Sequence, residues 1–179
     1  MKRITAALGL AMLFAAGSVA AQNCTITLDS NDRMQFDQKS VSVSSSCSSI
    51  TVELTHSGSL PVAAMGRNVV IAETANVNDV AQAGIKAGAA NNYVPSGDAR
   101  VIAATEMIGG GGKTSITFPG SKLTAGGDYT FFCSFPGHSG LMRGTVRVPR
   151  WPIRVTARSP LAMPAKAGMF FCVICFPGN

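Results

Sequence analysis

The sequence has little charge, few aromatic residues and only two histidines. Charged residues make up 13% of its 179 residues, aromatic residues 7% and hydrophobic residues 46%. A chain of this length and hydrophobic content can bury one sizeable core, and we expect no second full domain. Nineteen glycines beside so few aromatics favour an all-β domain with many turns over a helical bundle.

The central segment of the chain lacks the positive net charge that a nucleic-acid-binding protein would need. Residues 22–149 contain nine basic and nine acidic residues, so this segment is formally neutral. The formal net charge of +6 comes from Lys2, Arg3 and the four basic residues of the segment 150–179, which has no acidic residue. A neutral domain offers no basic surface to a phosphate backbone, which argues against nucleic acid as the main partner.

Residues 1–21 are predicted to be an export signal. Lys2 and Arg3 form a positive start, an apolar stretch follows from Ala6 to Ala16, and small residues up to Ala21 form a cleavage site. The apolar stretch is shorter than the ~20 residues that a spanning helix needs. We therefore expect a periplasmic protein whose mature chain has no membrane span.

Residues 150–179 are predicted to be a basic, proline-containing extension without regular structure, because four prolines interrupt any helix or strand there. Its last residues repeat the Phe-Phe-Cys and Phe-Pro-Gly motifs of residues 131–137, so a partial duplication is the alternative. This extension contains Cys172 and Cys175, which either bond to each other or stay reduced. The predicted organisation is therefore a signal peptide (1–21), one domain (22–149) and the extension (150–179).

Short apolar segments recur between residues 25 and 148 and are bounded by Gly, Asn, Asp and Ser, a pattern typical of short strands. Their regular spacing predicts an antiparallel sandwich with Greek-key connections. One alanine-rich stretch, 76–88, has helical spacing instead and predicts a short inserted helix. The predicted strands are 25–28, 34–36, 40–43, 50–55, 68–73, 101–104, 114–118, 129–132 and 144–148.

One loop carries a thiol, an imidazole and a thioether. Cys133, His138 and Met142 follow one another at spacings of five and four residues, between the strands 129–132 and 144–148. Thiolate, thioether and imidazole together favour copper and mark an electron-transfer site. A buried thiol beside an ordinary histidine is the alternative, and the nearby methionine favours the metal site.

This segment closely resembles the copper loop of the azurins, a group of the cupredoxin family with a type 1 blue copper site. The likeness extends over residues 22–148. It includes, in order, Asn31-Asp32-Arg33-Met34-Gln35-Phe36, Leu54-Thr55-His56-Ser57-Gly58-Ser59-Leu60-Pro61, Met65-Gly66-Arg67-Asn68 and Arg100-Val101-Ile102-Ala103. The resemblance implies a cupredoxin-like Greek-key β-sandwich that carries one electron on one copper ion, alternating between Cu(I) and Cu(II), and that is not an enzyme.

The resemblance also implies particular site residues. Cys133 is the expected thiolate ligand, His138 the imidazole ligand, Met142 the axial thioether and the Gly66 carbonyl a weak axial ligand. Cys24 and Cys47, which flank the first predicted strands, match the family's disulfide positions, and Asn68 and the backbone around Ser134 steady the thiolate. The resemblance places a surface for redox partners, such as a c-type cytochrome, on an apolar rim around His138 formed by Met34, Leu60, Met65, Phe135, Gly137 and Leu141.

Arg67 stands where the resemblance requires a second histidine ligand. A guanidinium stays protonated and has no lone pair to give to a metal. The other histidine, His56, matches a family histidine that does not bind the metal. Two alternatives follow: Arg67 swings outward and leaves water as a ligand, or it points inward and repels copper. Because of Arg67, the alternative to a one-electron carrier is a copper-free or Cu(I)-only cupredoxin-like binding protein.

Overall fold

The strands lie close to their predicted positions within residues 23–150, the part of the chain that this computed structural model describes. The predicted signal peptide and nearly all of the predicted extension, with Cys172 and Cys175, lie outside the described residues. The nine strands of the described part are β1 (Thr25–Asn31), β2 (Gln35–Phe36), β3 (Ser40–Ser42), β4 (Ser49–His56), β5 (Val70–Glu73), β6 (Val101–Ala104), β7 (Lys113–Pro119), β8 (Tyr129–Phe132) and β9 (Arg143–Arg147).

Two sheets share these strands and form a sandwich. One has the strand order β2-β1-β4-β7 and the other the order β3-β9-β8-β5-β6. The Greek-key β-sandwich is thereby confirmed, but the prediction that it is wholly antiparallel is wrong. Strand β1 pairs with β4 in parallel, and β3 pairs with β9 in parallel. Side-chain alternation identifies a strand, whereas the direction of its partner depends on long connections that no local pattern records.

The core lies between the sheets and follows from alternation along the strands. In β4 the side chains of Ile50, Val52 and Leu54 are buried, and the intervening residues face outward or are half-buried. Phe131 of β8 meets Phe36 of β2 across this core, edge to face, with ring centroids 5.4 Å apart. The two sheets are thus held by apolar contacts, which are the main stabilising term in a sandwich of this kind.

A disulfide joins Cys24 and Cys47, as predicted, with their Cα atoms 5.6 Å apart. It ties the start of β1 to the segment just before β4. Closing a loop with this sequence separation of 23 residues stabilises the fold by about 3 kcal/mol on the chain-entropy model.

The predicted inserted helix is α2, Val77–Ala87, and a second helix, α1 (Val62–Met65), was not predicted. Helix α2 buries Val77, Val80, Ala81 and Gly84, and it ends at Gly88, whose φ of 75° favours glycine. With only four residues, α1 is too short to show a helical period. None of the helices within residues 23–150 has the length and apolarity to cross a bilayer.

Candidate metal centre

The candidate site lies at the end of the sandwich where β8 runs into the loop 133–142. The backbone nitrogen of Cys133 donates to the carbonyl of Met142 at 3.0 Å, which closes the loop at its base. The carbonyl of His138 accepts from Leu141 and Met142, at 3.0 and 2.8 Å, which makes a tight turn after the histidine. These backbone bonds fix the direction in which the side chains of the loop project.

The structure brings three of the predicted ligand groups together. The thiol sulfur Sγ of Cys133 lies 3.6 Å from Nδ1 of His138 and 3.7 Å from the carbonyl oxygen of Gly66. Cys133 and Met142 are fully buried, and His138 is nearly so. Of the loop residues, Cys133 and His138 therefore approach each other, and the role of Met142 as a ligand stays a prediction. Gly66, which reaches the same point from after α1, could be placed there only through the family resemblance.

Arg67 points into this convergence point and is itself fully buried. Its Nη1 atom lies 3.1 Å from Nδ1 of His138 and 3.2 Å from the carbonyl oxygen of Gly66. The backbone of Arg67 is fixed by two hydrogen bonds with Ile108, at 2.9 and 2.8 Å, in an isolated antiparallel bridge. Of the two orientations that the sequence left open, the inward one is observed.

The charges of the site follow from this geometry. Burial lowers the pKa of Arg67, but from so high an ordinary value that the guanidinium stays protonated. Burial and then the positive charge of Arg67 lower the pKa of His138 to about 4. Burial raises the pKa of the Cys133 thiol, against smaller opposing effects that include Arg67. At neutral pH the site therefore holds one cation, a neutral imidazole and a protonated thiol.

The residues present do not fit a type 1 copper ion in this arrangement. Such an ion needs a thiolate and two imidazole lone pairs. Here the guanidinium of Arg67 lies next to Nδ1 of His138 and next to the Gly66 carbonyl, so it takes up the place of a metal ion. Within residues 23–150, no group of three or more His, Cys, Asp or Glu side chains lies close enough together to hold a metal ion.

A polar network behind Cys133 holds the base of the loop, as the resemblance implied for Asn68. The side-chain oxygen of Asn68 accepts from the backbone nitrogen of Ser134 at 2.9 Å. Its Nδ2 donates to Oγ of Ser134 at 2.8 Å and to the carbonyl of Asn92 at 3.1 Å. Sequence reasoning missed Asn92. Asn92 has a positive φ of 54°, a conformation that asparagine tolerates, so the residue type was the signal that the sequence offered.

The residues predicted to form the apolar rim differ in exposure. Leu141 is 63% exposed and Leu60 39%, whereas Met34, Met65 and Phe135 are partly buried. The ring of Phe135 packs on His138, with centroids 4.7 Å apart. Val62 of α1 lies close in sequence to Leu60 and Met65 and is 44% exposed, but it was not among the residues predicted for the rim. That these residues contact a partner remains a prediction.

His56 lies outside the group of predicted ligands. Its side chain is fully buried, and its Nε2 atom lies 3.2 Å from Oδ1 of Asp32. The other carboxylate oxygen of Asp32, Oδ2, accepts a hydrogen bond from the backbone nitrogen of Ser59 at 2.9 Å. This pair ties the segment after β1 to the segment after β4, which is a structural role for the second histidine.

The depressed pKa of His138 predicts a pH-dependent stability of the chelator-treated protein. In the unfolded chain this histidine takes up a proton near pH 6.5, whereas the folded chain resists protonation down to about pH 4. The unfolded state thus binds more protons in that window, so the contribution is fully present above about pH 6.5 and is lost as the pH falls towards 4. We expect a loss on the order of 2 kcal/mol in the free energy of unfolding.

Urea unfolding at pH 7, 6, 5 and 4 measures this loss. The variant His138→Gln is the control, because it keeps the carboxylates, such as Asp29 and Asp32, whose lowered pKa values also reduce stability in acid. The two proteins should differ in slope between pH 6.5 and 4. Parallel curves would show that His138 does not titrate as its surroundings indicate.

Comparisons with known proteins agree with this architecture. Residues 22–149 match the family model described as copper binding proteins of the plastocyanin/azurin family. The azurin of Bordetella pertussis is 46% identical over 147 residues, which cover 82% of this chain and 97% of that protein. The azurin of Pseudomonas fluorescens biotype A is 53% identical over 125 residues, which cover 70% of this chain and 98% of that protein.

A solved structure extends the likeness to three dimensions. The azurin Az-iso2 of Methylomonas sp. strain J is 49% identical and superposes with a TM-score of 0.67, over 70% of this chain and 97% of that chain. Together the relatives and the family model support a copper electron carrier as the general function. On the matched residues, this chain belongs to the plastocyanin/azurin family of copper binding proteins.

Proposed function

We propose that this chain is a periplasmic protein that docks onto redox partners and that its folded state is copper-free. One observation supports the copper-free state. Nη1 of Arg67 stands within hydrogen-bond distance of both His138 Nδ1 and the Gly66 carbonyl, two of the groups that the resemblance assigns to the metal. The general function of the family is copper electron transfer, and Arg67 is the feature that separates this chain from it.

A copper ion and the Arg67 guanidinium compete for the same lone pairs. The guanidinium is fully buried, and it forms no ion pair with an acidic side chain within residues 23–150. A second cation beside it would add electrostatic repulsion in a region of low dielectric, at a cost of several kcal/mol. The inward arginine therefore lowers the affinity for copper well below that of a site with two histidines.

The periplasmic location rests on the predicted signal at residues 1–21 and on the disulfide between Cys24 and Cys47. Disulfides persist in oxidising compartments and are rare in the cytosol. Both features favour export.

The docking role rests on the apolar rim. Leu141, Leu60 and Val62 expose large aliphatic side chains. Met65 links the rim to the site, because its sulfur lies 3.9 Å from Nη1 of Arg67. Redox proteins meet through small apolar surfaces, and a c-type cytochrome is a partner of this kind. Docking through such a surface requires neither a catalytic group nor a bound metal.

A second candidate function is the one-electron carrier with one copper ion. The distance of 3.6 Å between Cys133 Sγ and His138 Nδ1 favours it, since these two groups already converge. With Arg67 turned outward, the ligands would be Cys133, His138 and Met142, with the Gly66 carbonyl as a weak fourth. Two sulfur ligands and one imidazole suit Cu(I) better than Cu(II), so a protein that holds Cu(I) alone, without carrying an electron, is a further outcome of the same ligand set.

Copper titration of the purified mature protein decides between the two candidates. Cu(II), and separately Cu(I) under anaerobic conditions, would be added while visible absorption, electron paramagnetic resonance and bound metal are measured. We expect no intense blue band and no stoichiometric copper after buffer exchange. A blue complex would establish the carrier, and a stoichiometric Cu(I) complex without colour would establish the Cu(I)-only form.

The docking role predicts an effect of Leu141→Glu on partner binding. Placing a carboxylate in the centre of an apolar contact costs on the order of 1–3 kcal/mol, or about tenfold or more in affinity. Binding to an oxidised c-type cytochrome would be measured by calorimetry or by NMR shift changes. Ile85→Glu is the matched control, since Ile85 is another exposed aliphatic residue, 45% exposed, on α2. Equal affinities of the two variants would exclude the rim as the docking surface.

A further inference from the structure

The side chain of Arg67 connects separate parts of the chain. Nη2 donates to the carbonyl of Asn31 at the end of β1, at 2.8 Å. Nη1 lies 3.1 Å from the carbonyl of Met65 at the end of α1, 3.2 Å from that of Gly66 and 3.1 Å from Nδ1 of His138 in the loop. One buried cation is thus shared by the first sheet, the segment after α1 and the loop that follows β8.

The groups around this guanidinium are all acceptors. Three are backbone carbonyls, one is a ring nitrogen, and the weakly accepting sulfur of Met65 lies 3.9 Å from Nη1, so their lone pairs converge on the guanidinium. Gly66 and His138 are buried, and Asn31 and Met65 are partly buried. Without a donor at this position, the two buried acceptors would lose a strong hydrogen bond, at a cost of about 1–3 kcal/mol each. A metal ion would be one solution to this arrangement, and Arg67 is the solution that this chain supplies from its own sequence.

We infer that Arg67 is a resident cation that completes this site in place of a metal and acts as the positioning residue for His138. The inference rests on the copper-free state proposed above. It goes further, because it assigns the arginine a role in holding the loop and not only in excluding copper. The site would then be closed and ordered without any metal.

The hydrogen-bond chemistry fixes the state of the histidine. Arginine has donors and no acceptor, so Nδ1 of His138 accepts from Nη1 and carries no proton. A neutral imidazole with an unprotonated Nδ1 bears its proton on Nε2. The resident cation therefore selects one of the two tautomers of His138. The thiol of Cys133, 3.6 Å from the same nitrogen, is compatible with this, since it also can donate.

The test uses the mature protein with chelator and compares Arg67→Met with Arg67→Lys. Methionine keeps a long unbranched side chain without the charge, and lysine keeps the charge as a single ammonium. We expect Arg67→Met to lower the Tm by about 5–10 °C and to speed hydrogen exchange of the Cys133 and Met142 amides by about tenfold or more. Nitrogen-15 NMR should show the Nε2–H tautomer of His138 in the wild type and in Arg67→Lys, and a mixture of tautomers in Arg67→Met.

The controls separate this role from general destabilisation. Arg143→Met removes an arginine at the end of the same loop whose Nε donates to the carbonyl of Ser139, and it should leave the tautomer unchanged. A wild-type spectrum with the proton on Nδ1, or equal losses in the methionine and lysine variants, would overturn the inference. Because chelator is present throughout, these outcomes do not depend on the copper titration, which alone decides the proposed function.

Discussion

Replacing Arg67 with histidine is expected to give a blue copper protein. The substitution removes the buried guanidinium and supplies the second imidazole that the resemblance places at this position. The isolated bridge between residues 67 and 108 holds the backbone through two hydrogen bonds and does not depend on the side chain. The new imidazole therefore projects from the same fixed backbone position, next to Gly66, as the present arginine side chain.

The expected gain in Cu(II) affinity is large because two effects add. Removing the guanidinium relieves its electrostatic repulsion of a bound copper ion, which costs several kcal/mol. Adding a third strong ligand completes the trigonal set of one thiolate and two imidazoles. Even 3 kcal/mol corresponds to more than a hundredfold in the dissociation constant. The measurement is a competitive copper titration against a chromophoric chelator, with the visible absorption spectrum as a second readout.

Two controls make the Arg67→His result specific. Arg143→His introduces a histidine at an exposed arginine at the other end of the copper loop and should bind no additional copper tightly. Arg67→Ala removes the cation without adding a ligand, so it should improve copper affinity only partly. If Arg67→His stays colourless while keeping its fold, the defect lies in the remaining ligands Cys133, His138 and Met142, and not in the arginine.

The sequence predicted the positions of the strands better than the direction in which they pair. Alternation of the kind seen at Ile50, Val52 and Leu54 arises within one strand, so it can be read from the residues alone. The parallel pairing of β1 with β4 depends instead on how residues 32–48 cross from one sheet towards the other. Helix α1 escaped prediction for a different reason, because Val62–Met65 is a single turn with no buried residue.

The candidate site, like the fold, could be predicted from the sequence only in part. Cys133, His138 and Met142 lie on one loop, so their spacing alone indicated a shared site. The direction of Arg67 could not be predicted, because it depends on acceptors that are distant in sequence. The carbonyl of Asn31, 36 residues away, and Nδ1 of His138, 71 residues away, come together only in the folded chain. The network through Asn92 was missed for the same reason.

Replacing Asn68 with leucine is expected to destabilise the protein by about 3 kcal/mol, since the change removes hydrogen bonds at a fully buried position. The backbone nitrogen of Ser134 would lose its acceptor, which is 2.9 Å away, and the carbonyl of Asn92 would lose a donor. Leucine has the same number of side-chain heavy atoms as asparagine and the same branching at Cγ, so the shape of the side chain changes little by comparison. Urea unfolding of the copper-free protein measures the loss.

The position of Asn68 makes its effect local as well as global. Ser134 follows Cys133 directly, so loss of its hydrogen bond to Asn68 should make the base of the loop mobile before the sheets unfold. In Asn68→Leu we therefore expect amide exchange to quicken around Ser134 more than in β4, whose alternating core is untouched. Asn91→Leu is the control, because Asn91 is exposed and donates only to the carbonyl of Ala87. Uniform acceleration in both regions would mean that Asn68 supports the whole fold and has no particular role in holding the thiol.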